Sequence, residues 1–141
     1  MRITISESSI KLKIPKAEKI SKEMGVFYNP VMSLNRGISV LLLNSVSKNH
    51  LQIADTLAAT GVRSIRFLKE LGKNKIKKIS INDHSKDSIS LIKQNLALNN
   101  IRYKHNKKIN IKNEDANLFL LNSSGFDYID IDPFGNPNYF L

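Results

Sequence analysis

Beyond residue 50 the chain repeats one cycle: a short apolar run, a turn of small or acidic residues, then a segment of helical periodicity. The runs Leu51–Leu57, Lys78–Asn82, Lys108–Lys112 and Tyr128–Ile131 read as strands. Between them, Val62–Leu71 places Ile65, Leu68 and Leu71 on one helical face, with Gly72 as its expected cap. Asp87–Asn99 does the same with Ile89, Ile92, Leu96 and Leu98, and Ala116–Leu121 reads as a helical turn. Strands and helices alternating at this spacing admit few solutions. Consecutive strands lie parallel and are joined by right-handed crossovers, so the fold class is α/β.

The first 50 residues differ. Ile3–Ile5 and Ile10–Ile14 alternate apolar with polar residues and pair as a hairpin about Ser6–Ser9. Lys16–Met24 is a short helix or a basic loop, Asn29-Pro30 marks a turn, and a helix begins near Met32–Asn35 and runs through Val46. No internal repeat is present. Residues 1–50 therefore form a hairpin and helix segment, and 51–141 the parallel-sheet unit.

Charge and composition narrow the partners. The chain carries 22 Lys and Arg against 12 Asp and Glu, a formal net charge of +10. Such a balance suits a polyanion, because cations that neutralise phosphates release counterions. The lysines at 69, 73, 75, 77 and 78 read as solvated surface, and Arg102–Lys108 as a basic loop. The chain has no cysteine, which excludes disulfides, thiolate catalysis and Cys-ligated metals and fits a reducing compartment. The three histidines lack ligand spacing, so no metal is expected. No signal pattern and no membrane-spanning apolar run is present, so the expected compartment is the cytoplasm.

In open parallel sheets, ligands bind beyond the carboxyl ends of the strands. Each predicted strand here ends in residues suited to that edge. After the first comes Asp55-Thr56-Leu57-Ala58-Ala59-Thr60-Gly61, a tight turn of small residues that lets backbone approach a nucleotide. After the second comes Asp83, 22 positions beyond Gly61, where a carboxylate accepts bonds from a ribose diol or caps the next helix. After the third, Glu114-Asp115-Ala116 offers carboxylates and a backbone N–H to an adenine, or a helix cap. No Gly-Lys-Ser/Thr phosphate loop is present. A nucleoside without a phosphate chain fits best, and S-adenosylmethionine, whose sulfonium welcomes carboxylates, is one.

After the fourth strand comes Asp132-Pro133-Phe134-Gly135. An exocyclic amine on a nucleobase shares its lone pair with the ring and is a poor nucleophile. A carboxylate that holds its N–H groups orients the nitrogen and takes the released proton. Phe134 is placed to stack on the base or to join the core in a strand-terminating turn. Phe27, from Phe27-Tyr28-Asn29-Pro30, is placed to close the opposite face, and Arg36 to hold the cofactor's carboxylate as a guanidinium fork; packing or a solvent-facing position is the alternative for each.

Several stretches together resemble the tRNA (guanine(26)-N2)-dimethyltransferases. They are Ile14-Pro15-Lys16-Ala17-Glu18, Val26–Arg36 (Val-Phe-Tyr-Asn-Pro-Val-Met-Ser-Leu-Asn-Arg), Asp55–Phe67, Asn82-Asp83 and Asp130–Gly135. The resemblance implies a Rossmann-like class I fold, S-adenosyl-L-methionine as cofactor, and methyl transfer to guanine N2 in tRNA. It implies cofactor contacts by Arg36, Arg63, Asp83, Asp115 and Ala116, with Asp132 as catalytic acceptor and Phe27 and Phe134 beside the guanine. Leu57 and Ala59 stand where the general class has glycines, a departure this family tolerates. A complete domain of the class has more strands than the four assigned here, and the family adds a tRNA-engaging domain. The resemblance therefore implies an N-terminal portion of the enzyme, as a split-gene half, a fragment or a truncated reading frame, and the expectation is that a second polypeptide supplies the remaining strands. Another RNA or DNA amino-methyltransferase and a non-catalytic nucleotide-binding module are the alternatives.

Overall fold

A computed structural model describes residues 1–16 and 25–140. The helix or loop expected at Lys16–Met24 lies outside them apart from Lys16. Two strands, β1 (Arg2–Glu7) and β2 (Ile10–Pro15), form an antiparallel hairpin, with Ser8 at positive φ in its turn. A 3-10 turn at Pro30–Met32 leads into α1 (Ser33–Ser45). Then follow β3 (Leu51–Asp55), α2 (Val62–Glu70), β4 (Ile76–Asn82), α3 (Lys86–Leu98), β5 (Ile109–Lys112), α4 (Ala116–Leu121) and β6 (Tyr128–Asp130). A second 3-10 turn spans Pro137–Phe140.

The sheet order is β5-β4-β3-β6, with every pairing parallel. The alternation therefore reports the sheet correctly. Its boundaries shift where lysines obscure the pattern: β4 begins at Ile76 because Ile76 pairs with Leu51, ahead of the exposed Lys77 and Lys78. Gly72 does not cap α2. Leu71 already turns extended, and the Gly72 N–H is taken by Asn44 Oδ1 at 2.9 Å.

Right-handed crossovers put α2 and α3 on one face of the sheet, where Ile53, Ile79, Ile81 and Ile109 meet Ile10 and Leu12 of the hairpin in one apolar cluster. The hairpin is fastened by amides rather than by a further strand. Asn99, the C-cap of α3, accepts from Lys11 N–H at 2.9 Å and donates to Lys11 C=O at 2.6 Å. Asn95 does the same at Lys13 (2.7 and 3.1 Å) and also donates to Thr60 C=O at 2.9 Å. Two side chains one helical turn apart thus satisfy the edge of β2 and tie it to the turn after β3.

The chain reaches β4 and β5 on one side of β3 and returns to β6 on the other. The order reverses at β3, so the crevice at this topological switch point lies between the carboxyl ends of β3 and β6.

Candidate active site at the carboxyl edge of the sheet

A cavity of about 320 Å³ occupies this crevice, walled by Phe27, Arg36, Asp55, Arg63, Asp130 and Asp132 among others. A second, of about 540 Å³, continues it toward Asp83, His84 and Tyr139 and shares Phe27, Ala59 and Phe134 with the first. The turn after β3 forms the floor between them. Gly61 caps α2 at φ 77°, and a Cβ there would meet Ile92 Cγ1 at 3.1 Å, so this single glycine is required. Ala59 also holds a positive φ (47°), and its N–H donates to Asp83 Oδ2 at 2.8 Å.

Arg63 is the hub of the first cavity. Its Nε lies 3.1 Å from Asp130 Oδ2, and its Nη1 donates to Ser39 Oγ at 2.8 Å. Its Nη2 donates to Asn35 Oδ1 at 3.0 Å and to Asp132 Oδ2 at 2.8 Å. Burial works against its charge, yet Asp130 and Asp132 outweigh this and hold its pKa above the ordinary value. Three of its N–H groups are thus hydrogen-bonded to protein partners and its Nε faces Asp130, so Arg63 fixes Asp132 whatever else it touches. Asp132 keeps its side chain 44% exposed at the rim.

Behind Arg63 lie two buried carboxyls. Asp55 accepts from Ser64 Oγ at 2.6 Å, and burial together with the Asp130 charge pushes its pKa up to about 7. Asp130 accepts from Tyr128 Oη at 2.9 Å and is also raised, chiefly by burial. A cationic ligand group would favour the ionised form of Asp55 and add to the Arg63 charge that already faces Asp130. Between the ordinary carboxyl range and about 7, folded Asp55 keeps a proton that the unfolded chain has lost, and above about 7 that difference is spent. Asp55→Asn should therefore remove a fall in stability with rising pH. Thermal melts from pH 5 to 8 should show the wild-type advantage over Asp55→Asn shrinking toward pH 8, and a constant gap would refute it.

Asp83 is buried at the end of β4, where Oδ1 accepts Ser85 N–H at 2.9 Å. Asp115 serves as the cap of α4, with Oδ1 accepting from Asn117 N at 2.9 Å and Leu118 N at 3.1 Å. Ala116 is buried behind it, and neither residue lines the two cavities, although both stand on the same edge one strand beyond Asp83. Phe27 and Phe134 do not form the expected sandwich. Their rings meet edge to face, centroids 5.0 Å apart at 90°, which leaves no gap for a base between them.

Arg36 lines the cavity but already holds a carboxylate, that of Glu7. Glu7, Asp55 and Asp130 carry no assigned role in the sequence reading. The signals for them are an acid continuing the Ile3, Ile5 alternation of the hairpin and two acids at the ends of apolar strands.

The profile of the N2,N2-dimethylguanosine tRNA methyltransferase family matches residues 6–141. The chain belongs to that family. It is 37% identical over 140 residues to the tRNA (guanine(26)-N(2))-dimethyltransferase of Methanosphaera stadtmanae, covering 96% of this chain and 34% of the relative. Its identity to the Methanococcus maripaludis protein of the same name is 39% over 142 residues, covering 97% and 37%. Among solved structures, Trm1 from Pyrococcus horikoshii in complex with S-adenosyl-L-methionine superposes with a TM-score of 0.82 at 36% identity, over 98% of this chain and 38% of that one. The four parallel strands thus form part of a Rossmann-like methyltransferase sheet. The chain spans about a third of the length of the curated dimethyltransferases it matches. No helix among the described residues is long and apolar enough to cross a membrane.

Proposed function

We propose that this chain binds S-adenosyl-L-methionine and presents Asp132 to guanine N2 of a tRNA, as the catalytic portion of a guanine(26)-N2 methyltransferase. The observation that carries this reading is the Arg63 hub, which fixes Asp132 at the rim of a cavity whose buried acids call for a cation.

The residues present fit the cofactor. Asp55 and Asp130 suit its positive charges, Arg36 its carboxylate, the small-residue turn its nucleoside and Asp83 its ribose diol. Asp115 and Ala116 are proposed for the adenine, with Asp115 Oδ1 committed to the helix cap. Arg63 contributes charge to the methionine end while holding Asp132. When bound, the cofactor supplies a methyl group made electrophilic by its sulfonium.

Asp132 then accepts an N–H of the guanine amine, which orients the nitrogen, and takes up the proton released on methylation. Phe134, partly exposed, offers a face for the base, and Phe27 supports that ring from its edge instead of covering the opposite side. Residues 1–50 supply the Phe27–Arg36 wall and 51–141 the first half of the cofactor domain. The cytoplasm is the compartment we assign to this reaction.

We further propose a second polypeptide that supplies what the longer relatives carry. β6 pairs only with β3 among the described strands, and an unpaired strand edge is a ready site for another strand.

The test is nucleoside mass spectrometry on tRNA incubated with cofactor and chain, with and without the C-terminal two-thirds of a relative. N2-methylated guanosine is expected only with both polypeptides. Methylation of a different base would overturn the substrate, and robust transfer by the chain alone would overturn the need for a partner.

A further inference from the structure

Outside the cavity, at the end of β1, Glu7 meets two guanidiniums, those of Arg36 and Arg66. Its carboxylate is buried and accepts four bonds. Tyr28 Oη donates to Oε2 at 2.8 Å, Arg36 Nε to Oε1 at 2.8 Å, Arg36 Nη2 to Oε2 at 2.5 Å and Arg66 Nη1 to Oε1 at 3.2 Å. All four lone-pair positions of the carboxylate are filled. Burial alone would raise its pKa, but the bonds from Arg36 and Tyr28 outweigh it and leave Glu7 below the usual carboxylate range. Arg66 is shared with Glu70 at 2.9 Å, so two acids and two guanidiniums balance inside the fold.

This arrangement does more than join the hairpin to α1 and α2. Tyr28, Asn29 and Arg36 all line the first cavity, and Glu7 does not. Glu7 grips Arg36 through Nε and Nη2, while Asn29 C=O takes Nη2 at 3.1 Å and the guanidinium lies over the Tyr28 ring at 5.3 Å. A fork held at two nitrogens has one orientation left, and Nη1 is outside this set of bonds. We propose that Glu7 is a positioning residue for recognition of the cofactor's carboxylate: its bidentate grip sets the orientation in which Arg36 faces the cavity.

The inference rests on the reading of that cavity as the S-adenosyl-L-methionine site. A glutamine at position 7 would return one oxygen to the fork and set an NH2 against an arginine N–H. Arg36 would lose its single orientation without losing its charge.

The experiment compares two ligands by calorimetry on the purified chain. S-adenosylhomocysteine carries the carboxylate, and S-adenosyl-3-thiopropylamine is the same thioether nucleoside with the ammonium but without it. Glu7→Gln should weaken the first about tenfold, the scale of one charge-assisted hydrogen bond, and leave the second unchanged. In an Arg36→Gln background the same substitution should add nothing to that difference. Tyr28→Phe, which removes one of the four bonds and leaves the charges in place, should shift the ratio of affinities in the same direction by less, and it serves where Glu7→Gln does not fold. Equal losses for both ligands, or a selective loss that persists without Arg36, would overturn the positioning role alone. Failure of the unsubstituted chain to bind either ligand would overturn the cofactor reading and this proposal with it.

Discussion

Asp132→Ala should lower methyl transfer by at least ~100-fold while leaving S-adenosylhomocysteine affinity nearly unchanged, because a positioned acid–base group typically contributes factors of that size and larger. The separation follows from where Asp132 stands. Its side chain is 44% exposed, so truncating it opens no core cavity. Arg63 keeps Asp130, Asn35 and Ser39 as partners when Asp132 is gone, so the hub stays charged, bonded and in place. What disappears is the acceptor for the amine hydrogens. Asp132→Asn sharpens the test, since the amide keeps an acceptor oxygen for an N–H but cannot take up a proton. Transfer should fall nearly as far as in the alanine variant. The rate is read by single turnover on the two-polypeptide assembly and affinity by calorimetry. Retained transfer in Asp132→Asn would mean that orientation alone suffices, and a matching collapse of cofactor affinity would mean that Asp132 belongs to the cofactor subsite.

The strand ends were legible in the sequence because parallel pairing is decided by local pattern. Ile53, Ile79 and Ile109 announce strands, the spacing between them leaves room only for helices, and the parallel pairing this imposes puts Asp55, Asp83, Asp115 and Asp132 on one edge. What periodicity cannot show is a helix whose polar face is buried as well as its apolar one. α2 reads as amphipathic, with Arg63, Ser64 and Arg66 on its polar face, yet all three are buried, because α1 covers that face and Glu7 and Asp130 meet the charges. Such burial is decided by partners 59 and 67 positions away in the chain (Arg66 to Glu7, Arg63 to Asp130), and hydrophobic period carries no information about them.

The same limit explains the aromatic pair. Their residue type assigns Phe27 and Phe134 to the base, and both line the cavity, but their mutual geometry depends on how the Asn29-Pro30 turn meets the Pro133-Phe134 turn. Asp115 is a third instance. Its residue type serves an adenine or a helix cap equally well, and the structure shows the cap.

Asp83→Ala should weaken cofactor binding about 100-fold, the combined scale of two charge-assisted hydrogen bonds to a ribose diol, with little direct effect on RNA affinity. Each carboxylate oxygen of Asp83 already accepts one backbone N–H, from Ala59 at 2.8 Å and Ser85 at 2.9 Å, which leaves each one more lone pair toward the cavity that the residue lines. The two backbone bonds fix the carboxylate before a ligand arrives, so little side-chain entropy opposes binding. They also mean that the alanine variant releases Ala59, whose positive φ the Asp83 bond helps hold, and part of the loss would come from a loosened turn. Ligands separate these contributions. A 2′,3′-dideoxy analogue of S-adenosylhomocysteine cannot bond the carboxylate, so its affinity should fall only by the share due to the turn, whereas the ribose ligand loses both. Equal losses for the two ligands would remove Asp83 from the ribose and leave it as the strut of the β3 turn. A loss of transfer at saturating cofactor as deep as that of Asp132→Ala would collapse the division of labour between the two aspartates.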